Sequence, residues 1–475
     1  MVRTLRDYQV TGAHWLAERR TALLADEMGI GKTAELIEGA RMTGLSRIAV
    51  VCPLILCEHW IDELHRWQPT WTTVRLQGRK SSTYHVQQSR FWDGVEVLVL
   101  NYDILNAHAD MIKHWAHLVI FDESHYLMNA TSQRSRAALD IARHPKMSVW
   151  LATGTPMPSK PKQLIHQLDI IGWLDRLGGF NYFIKRYCNA KLVWVPTGKG
   201  RGKKVWDYDG SSNLPELSNK LVGRGVMLRR LRRDVMPEIS VMPPAVVPVP
   251  LASEKMSEYE AARKNIADYM SQRAYELARS TGGMEPTEAA LEAARRALAA
   301  KHLVELGQLR RLLGEAKVPS VCAWVKEWME GSEDAKLIVF AHHRSVIDSL
   351  SATLGGAKLY GGMDENDRSA NLGRFRSDSS CRLLLASTPA VGIGIDLTVS
   401  SDVVFVEYEW TISAHRQAQD RVARHGQRNV VAISYLVGPD TVDRRMAQHI
   451  AEQVGSTNAF DAVDDIAPIF LEGIL

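Results

Sequence analysis

The chain has 475 residues, of which 45% are hydrophobic and 24% are charged. This length predicts roughly two to four domains of about 100–200 residues each, and the composition excludes a mainly disordered protein. The net charge of +4, from 58 basic and 54 acidic residues, is too small to indicate a nucleic-acid partner by itself. No apolar run approaches the ~18 residues of a membrane span, and the opening MVRTLRDYQVTG lacks the apolar core of a secretion signal. We therefore expect a cytoplasmic protein.

Short apolar runs alternate with longer amphipathic stretches through the first 165 residues. Continuous apolar runs are typical of strands that are buried on both faces of a parallel sheet, with helices as the crossovers. We predict such strands over residues 22–25, 48–52, 95–100, 118–121 and 148–152. The same rhythm returns late in the chain and predicts strands over residues 337–341, 382–386, 402–406 and 431–437. The pattern indicates two α/β domains.

The composition changes between these two regions. Residues 178–212 are rich in glycine, lysine and aromatic residues, which predicts loop or irregular structure. An extended linker is predicted by four closely spaced prolines, Pro243, Pro244, Pro248 and Pro250. From Ser253 to about Lys317, alanine, glutamate, arginine and leucine recur at helical spacing. One break at Thr281-Gly282-Gly283 divides this stretch, so we predict a pair of long helices outside the two sheets.

Charge is distributed unevenly along the chain. Residues 176–206 contain no acid and eight basic residues, Arg176, Lys185, Arg186, Lys191, Lys199, Arg201, Lys203 and Lys204. Such a stretch is either a phosphate contact or a solvated loop, and the sequence leaves both open. Two tryptophans, Trp194 and Trp206, flank its lysine cluster; we expect them to pack the insertion, with stacking on a base as the alternative. Residues 446–475 carry five acids and no Lys or Arg, which favours a solvated acidic tail over a docking segment.

The five cysteines are Cys52, Cys57, Cys188, Cys322 and Cys381. Their number is odd and no Cys-x-x-Cys pair occurs, so neither a disulfide framework nor a structural zinc site is indicated. We predict reduced, mostly buried thiols.

A phosphate-binding loop is indicated by DEMGIGKT, residues 26–33, directly after the first predicted strand. Glycines such as Gly29 and Gly31 let the backbone approach a polyphosphate, and the amides around Ile30 form an anion nest at the start of a helix. Lys32 would reach the β- and γ-phosphates of ATP, and Thr33 would offer its hydroxyl to Mg²⁺. The match is imperfect, because Asp26 stands where the first glycine of this motif is usual.

A second signal follows the predicted strand 118–121, where the chain reads Asp122-Glu123-Ser124-His125. A carboxylate at the end of a buried strand can hold Mg²⁺, and its neighbour can orient or deprotonate the attacking water. We assign Asp122 to the metal and Glu123 to the base. An acidic N-cap of the next helix is the structural alternative, which the preceding Gly-Lys-Thr disfavours.

Further blocks resemble the motifs of superfamily 2 ATPases, in the same order. They are LRDYQ (5–9) with Gly12 and Trp15, VVCP (50–53) with Trp60, NYD (101–103), TGTP (153–156), GIGIDLT (392–398) and QAQDRVARHGQ (417–427). The sequences of three motifs, DEMGIGKT, DESHYLMN and QAQDRVARHGQ, are typical of the SWI/SNF-related DNA translocases. Within that family, LRRLRRDV (228–235), LLGEAKVPSV (312–321) and VFAHHRSVID (339–348) are most similar to the annealing-helicase branch.

The resemblance implies an α/β fold with two RecA-like parallel-sheet domains and helical insertions between them. We divide the chain into a first RecA-like domain (1–165), a basic insertion and linker (166–250), a helical protrusion (251–317) and a second RecA-like domain with the acidic tail (318–475). Because we recognise only the two motor domains and their helical insertions, we expect the protein to come from a bacterial or phage-infected cell.

The resemblance also implies an ATPase that uses ATP and Mg²⁺. Gln9 and Arg6 would contact adenine, while Gly394 and Asp396 of the fifth block would line the nucleotide from the second domain. Arg424 would act as the main arginine finger, with Arg421 as its partner, if ATP binds in the cleft between the domains.

Coupling and DNA contacts are further implications of the resemblance. His125, Thr153, Thr155 and Gln417 would link the nucleotide state to DNA; a capping histidine and ordinary turn chemistry are the alternatives for the first three. Sequence-independent phosphate contacts would come from Pro53, Asn101, His342, Gly362, Thr388 and Gly392. The arginines Arg229, Arg230, Arg232 and Arg233 would either contact DNA or brace the domains.

We therefore expect a DNA-dependent ATPase that translocates on double-stranded DNA and remodels or reanneals branched DNA. A strand-separating helicase, or the motor subunit of a restriction or repair assembly, shares every ATPase residue and stays open. A nucleotide-gated scaffold is a weaker alternative, because it has no need of Glu123 and Arg424.

Overall fold

The computed structural model describes residues 4–78, 94–157, 160–198, 201–282, 303–332, 334–391, 395–409 and 411–455. These residues form two compact units, unit 1 up to Glu238 and unit 2 from Ile239 onward. Among the described residues, no helix is both long enough and apolar enough to cross a membrane.

Unit 1 is built on a seven-stranded sheet of order β3-β4-β2-β5-β6-β1-β9, in which every pair is parallel. Its strands are β1 (Thr21–Leu24), β2 (Ile48–Cys52), β3 (Thr73–Arg75), β4 (Val97–Asn101), β5 (Leu118–Asp122), β6 (Ser148–Ala152) and β9 (Met227–Leu228). Strands β2 and β5 are buried at every position, as expected of strands covered on both faces.

The first helix of unit 1 precedes β1, and the others lie between strands or follow the last of them. They are α1 (Asp7–Ala17), α2 (Lys32–Thr43), α3 (Cys57–Trp67), α4 (Leu105–Trp115), α5 (Gln133–Ala142), α6 (Lys162–Ile170), α7 (Gly179–Tyr187), α8 (Leu214–Gly223) and the short α9 (Arg232–Val235). Between α7 and α8 an antiparallel pair, β7 (Lys191–Gly198) and β8 (Arg201–Asp207), forms a separate hairpin.

Unit 2 contains a six-stranded sheet of order β10-β15-β14-β11-β13-β12, also parallel throughout. Its strands are β10 (Ala245–Pro248), β11 (Leu337–Ala341), β12 (Ala357–Leu359), β13 (Leu383–Ser387), β14 (Asp402–Phe405) and β15 (Ala432–Val437). Its helices are α10 (Ser253–Gly282), α11 (Leu303–Gly331), α12 (Arg344–Leu354), α13 (Glu365–Ser377), α14 (Thr388–Val391), α15 (Ile412–Gln419) and α16 (Val442–Gly455).

Two parallel-sheet α/β units confirm the predicted fold class. All nine predicted strands are present within two residues of the predicted bounds, because each is an apolar run that the sheet buries. The prediction of irregular structure over residues 178–212 is wrong, since helix α7 and the β7–β8 hairpin lie there. The prediction of an extended linker at the four prolines is only partly right, because Ala245–Pro248 is a strand that pairs with β15. This strand lies at the edge of the sheet, where a proline removes no hydrogen bond between strands.

The predicted pair of long helices corresponds to α10 and α11. Helix α11 continues past the predicted end at residue 317 to Gly331, with Pro319 inside it. The predicted insertion 166–250 divides at Glu238, because β9 adds a strand to the sheet of unit 1 whereas β10 joins that of unit 2. All five cysteines are buried and free, as predicted.

Candidate active site

The loop that follows β1 has the backbone geometry of a phosphate-binding loop. Gly29 and Gly31 adopt φ values of 81° and 89°, a region that only glycine occupies without strain. Gly31 is the N-cap of α2, so the free amides of that helix face the loop. A Cβ on Gly31 would lie 2.2 Å from Nε2 of Gln9, so a side chain there would displace the Gln9 amide from the loop.

The segment before α1 holds this loop from one side. The Gln9 amide donates to the Ile30 carbonyl at 3.1 Å, and the Tyr8 hydroxyl donates to the same carbonyl at 2.8 Å. The Arg6 amide donates to Oε1 of Gln9 at 3.0 Å, and the Arg6 guanidinium pairs with Glu238. The structure therefore brings Gln9 into contact with the phosphate-binding loop, whereas Arg6 contacts Gln9 through its amide and Glu238 through its guanidinium.

Lys32 and Thr33 occupy the first turn of α2 and are half-buried. The Lys32 ammonium donates to the carbonyl oxygens of Asp26 and Glu27, at 2.9 and 3.1 Å. A cation is thereby held within the loop, where it would meet a bound phosphate.

Asp122 ends β5 and is almost fully buried. Its Oδ2 accepts from the Trp60 indole at 2.8 Å, and its Oδ1 accepts from the Glu123 amide at 2.9 Å. Burial, reinforced by the Glu123 carboxylate, raises the pKa of Asp122 to about 6. A buried carboxylate with a raised pKa is a good ligand for a cation, which would restore the charged form.

Glu123 lies next to Asp122 in the left-handed region, with φ 51° and ψ 52°. This conformation is strained for a residue with a Cβ, and such strain is concentrated at functional sites. His125 Nδ1 is 3.3 Å from Oε2 of Glu123 and 3.1 Å from the Thr153 hydroxyl. Thr153 Oγ1 also lies 3.4 Å from Oε2 of Glu123 and accepts from the Thr155 amide at 3.1 Å. The carboxylate of Glu123 is thus connected to the loop after β6.

An ion cluster that the sequence analysis missed supports the phosphate-binding loop. Arg230, two residues after β9, donates from Nε to Oδ2 of Asp26 at 2.9 Å and from its backbone amide to Oδ1 at 2.8 Å. The same guanidinium lies 2.5 Å from Oε2 of Glu35 on α2. Both carboxylates are fully buried. We call Asp26, Glu35 and Arg230 the buried triad.

The protonation of Glu35 in the buried triad depends on the charge of Arg230. Burial and the neighbouring Asp26 carboxylate raise the pKa of Glu35 to about 8, and Arg230 opposes that shift. The Asp26 carboxylate stands where the first glycine of this motif is usual, and because it is buried it needs a cation as its partner. Arg230 of LRRLRRDV is that cation. Arg230 therefore holds together elements of unit 1, a role that differs from the two predicted for it, contact with DNA and bracing of the two domains.

Arg229 joins the phosphate-binding loop to the loop after β6. Its guanidinium donates to the carbonyl oxygens of Ala25 and of Gly154, the latter at 3.3 Å. The two loops are also in direct contact, since a Cβ on Gly154 would lie 2.3 Å from Cγ of Met28. A displacement of one loop is therefore transmitted to the other.

The predicted DNA contacts of unit 1 lie at the same sheet edge as these loops. Pro53 follows β2 and is buried, while Asn101 ends β4 and is half-buried. Oδ1 of Asn101 accepts from the Asp103 amide at 2.9 Å, which fixes the turn after β4. In a parallel sheet, the carboxyl ends of all strands meet at one edge, where ligands bind.

In unit 2, the fifth and sixth blocks contact each other. The Leu397 amide donates to the Arg421 carbonyl at 3.0 Å, and Nη1 of Arg424 lies 3.4 Å from the Ile395 carbonyl. Asp396 closes a turn by accepting from the Thr398 amide at 2.9 Å. Gln417 is half-buried on α15. Gly394 and Gly392 lie outside the described residues.

The remaining predicted contacts of unit 2 follow its strands. His342 comes after β11, and its Nδ1 is 2.7 Å from Oε1 of Glu409, an acid that sequence reasoning did not single out. Thr388 comes after β13 and is buried, with no hydrogen-bond partner for its hydroxyl among the described residues. Gly362 is exposed and has φ 82°.

Comparison with known families matches nearly the whole chain. The model of the SNF2-related domain matches residues 8–299, more than half of the chain. The model of the Helicase conserved C-terminal domain matches residues 318–426.

Curated relatives with similar sequences include two vertebrate proteins. A Mus musculus protein named DNA annealing helicase and endonuclease ZRANB3 is 29% identical over 457 residues, covering 92% of this chain and 39% of the relative. A Xenopus laevis protein named SWI/SNF-related matrix-associated actin-dependent regulator of chromatin subfamily A-like protein 1 is 30% identical over 474 residues, covering 96% of this chain and 44% of the relative. The chain thus spans about two-fifths of the length of these relatives.

Among solved structures, the Sulfolobus solfataricus SWI2/SNF2 ATPase core in complex with dsDNA aligns with a TM-score of 0.40 and 20% identity, covering 99% of this chain and 95% of that chain. A score this low adds nothing to the family assignment, which rests on the sequence models. Those models confirm the resemblance that the motifs indicated: the chain belongs to the SNF2-related domain family.

Proposed function

We propose that this protein is a DNA-dependent ATPase that couples hydrolysis of ATP to translocation on double-stranded DNA and to remodelling or reannealing of branched DNA. The observation that carries the proposal is the arrangement in unit 1. Asp122 ends a strand of one parallel sheet, and Lys32, Glu123 and Thr153 follow strands of the same sheet, at the edge where such sheets bind ligands.

ATP would bind with its phosphates on the loop from Gly29 to Thr33. The loop amides and the Lys32 ammonium supply positive charge. Gln9, which contacts the loop at Ile30, and Arg6, whose amide donates to Gln9, would meet the base. Asp122 and Thr33 would hold Mg²⁺, which neutralises phosphate charge when bound. The buried Asp122 carboxylate fits this role because the Trp60 indole and the Glu123 amide orient it.

Glu123 would accept a proton from the attacking water. Its backbone lies in the left-handed region, and the contact with His125 keeps one carboxylate oxygen fixed. A movement of the Glu123 carboxylate would then displace His125 and Thr153, and through Thr153 the loop that carries Thr155.

Unit 2 would complete hydrolysis and hold the second half of the DNA track. Arg424 is proposed as the arginine finger and Arg421 as its partner, with Asp396 and Gly394 beside the nucleotide. Gln417 would couple this block to DNA. Sequence-independent phosphate contacts are proposed for His342, Gly362, Thr388 and Gly392.

Two findings favour reannealing over strand separation. One relative is the mouse protein named DNA annealing helicase and endonuclease ZRANB3, and several sequence segments of this chain resemble the annealing-helicase branch. A strand-separating helicase, or the motor of a restriction or repair assembly, would use the same ATPase residues. These alternatives are distinguished by the nucleic acid that stimulates turnover.

The test is the steady-state ATPase rate without nucleic acid and with single-stranded DNA, blunt duplex, a model fork or duplex RNA. Lys32→Ala gives the background. We expect the strongest stimulation by duplex or fork. Stimulation mainly by single strands would favour the strand-separating helicase, and a rate that no nucleic acid changes would refute the motor function of this chain.

A further inference from the structure

The β7–β8 hairpin of unit 1 exposes apolar side chains on both of its faces. The register pairs Leu192 with Trp206 and Val193 with Val205, and successive pairs lie on opposite faces. Leu192 is 54% exposed, and the other three are each 37% exposed. None of the four belongs to the core of unit 1.

A hairpin with this pattern gains little stability from burial. Two-stranded hairpins are marginal in water unless one face packs on a core. The exposed Trp206 and its apolar neighbours on this hairpin therefore indicate a ligand-binding surface.

The charge around the hairpin indicates what it binds. Residues 191–207 contain five Lys or Arg and one acid, Asp207, which stands opposite Lys191 at the base of the hairpin. Lys185 of α7 places its ammonium 5.4 Å from the centre of the Trp206 ring. Lys204 is exposed two residues before Trp206 and so lies on the same face.

These lysines are available for a ligand. In the described part of the chain, no ion pair joins Lys185, Lys191 or Lys204 to a carboxylate. The acids that follow the hairpin are engaged elsewhere: Asp209 pairs with Lys160 and Lys162, and Glu216 pairs with Arg186 and Lys220.

We propose that the face of the hairpin formed by Leu192, Lys204 and Trp206, together with Lys185, binds unpaired nucleotides at the branch point of a DNA fork. Trp206 stacks on a base, Leu192 supports that base, and the two ammonium groups contact the adjoining phosphates. Stacking on an aromatic ring beside cations is the usual means of binding single strands without sequence preference. The proposal rests on the proposed function and adds to it the feature of branched DNA that this protein recognises.

The first experiment compares binding of a fork with an unpaired arm and of a blunt duplex, by fluorescence anisotropy without ATP. Trp206→Ala should weaken fork binding roughly 5- to 100-fold and leave duplex binding unchanged, as expected for the loss of one stacked base. Trp206→Phe should retain most of the fork preference. Val205→Ala, on the opposite face of the same strand, is the matched control and should bind both DNAs like the unmodified protein.

A second variant guards against collapse of the hairpin. Lys185→Glu changes no residue of the hairpin, and we expect it to reduce the fork preference and the salt dependence of fork binding together. The inference is wrong if Trp206→Ala and Lys185→Glu both bind the fork as tightly as the unmodified protein. It is also wrong if each variant loses fork and duplex binding equally.

Failure of the proposed function would look different. In that case duplex DNA would not stimulate the ATPase of the unmodified protein, whatever the hairpin variants bind. If duplex stimulates turnover and both Trp206→Ala and Lys185→Glu leave fork binding intact, the motor function stands and only the hairpin inference is wrong.

Discussion

Replacement of Arg230 tests whether the buried triad supports the phosphate-binding loop. Arg230→Met would leave the carboxylates of Asp26 and Glu35 facing each other with no side-chain exposure and no cation between them. Removing one partner of a buried ion pair costs about 3–5 kcal/mol, because the remaining charge stays buried without compensation. We expect the free energy of unfolding of unit 1 to fall by about that amount.

Urea denaturation followed by tryptophan fluorescence measures this loss, and titration with ATP in the absence of DNA measures the accompanying loss of nucleotide affinity. Arg233→Met is the matched control, because Arg233 is exposed and its ion pair is with its own neighbour Asp234, at 3.4 Å. Arg230→Lys keeps the charge but cannot contact both acids through a fork, so it should fall between the two. Equal stabilities for Arg230→Met and Arg233→Met would refute the reasoning.

Three further predictions concern the same unit. Glu35→Gln should flatten the pH dependence of stability: since the folded pKa of about 8 lies above the ordinary 4.5, this acid stabilises the fold below pH 4.5 and its contribution is lost as the pH rises toward 8. Urea midpoints at pH 5.5, 7 and 8.5 check this, and a slope as steep in the variant as in the unmodified protein would contradict it. Gly154→Ala should weaken ATP binding by pushing Met28, whereas Gly223→Ala, whose Cβ would meet nothing within 4 Å, should not; equal affinities would show that contact between the loops is unimportant. Glu123→Gln should reduce turnover at least ~100-fold while ATP still binds, and near-normal DNA-stimulated hydrolysis would exclude Glu123 as the base.

The sheets could be predicted from the sequence because their strands are continuous apolar runs. Strands such as Ile48–Cys52 and Leu118–Asp122 are buried on both faces, so composition alone reveals them. The β7–β8 hairpin could not be predicted, since it is exposed and its glycines and lysines are those of a loop. Met227–Leu228 has two residues and becomes a strand because β1 lies beside it.

The candidate site divides in the same way. Lys32, Asp122 and Glu123 stand in short local motifs, so each could be assigned a role from its neighbours in sequence. The contact of Arg230 with Asp26 joins residues 204 positions apart and becomes visible only when the sheet brings β9 beside β1. An acid in place of the first glycine of the loop was the available signal, because a buried carboxylate requires a cation.

Displacement of a third strand from a DNA triplex measures translocation on duplex DNA. With ATP, the unmodified protein should release the third strand and leave the two strands of the duplex paired, while Lys32→Ala should release nothing. Release of a duplex strand would point instead to a strand-separating helicase. A third strand that stays bound, although duplex stimulates ATP hydrolysis, would contradict the account.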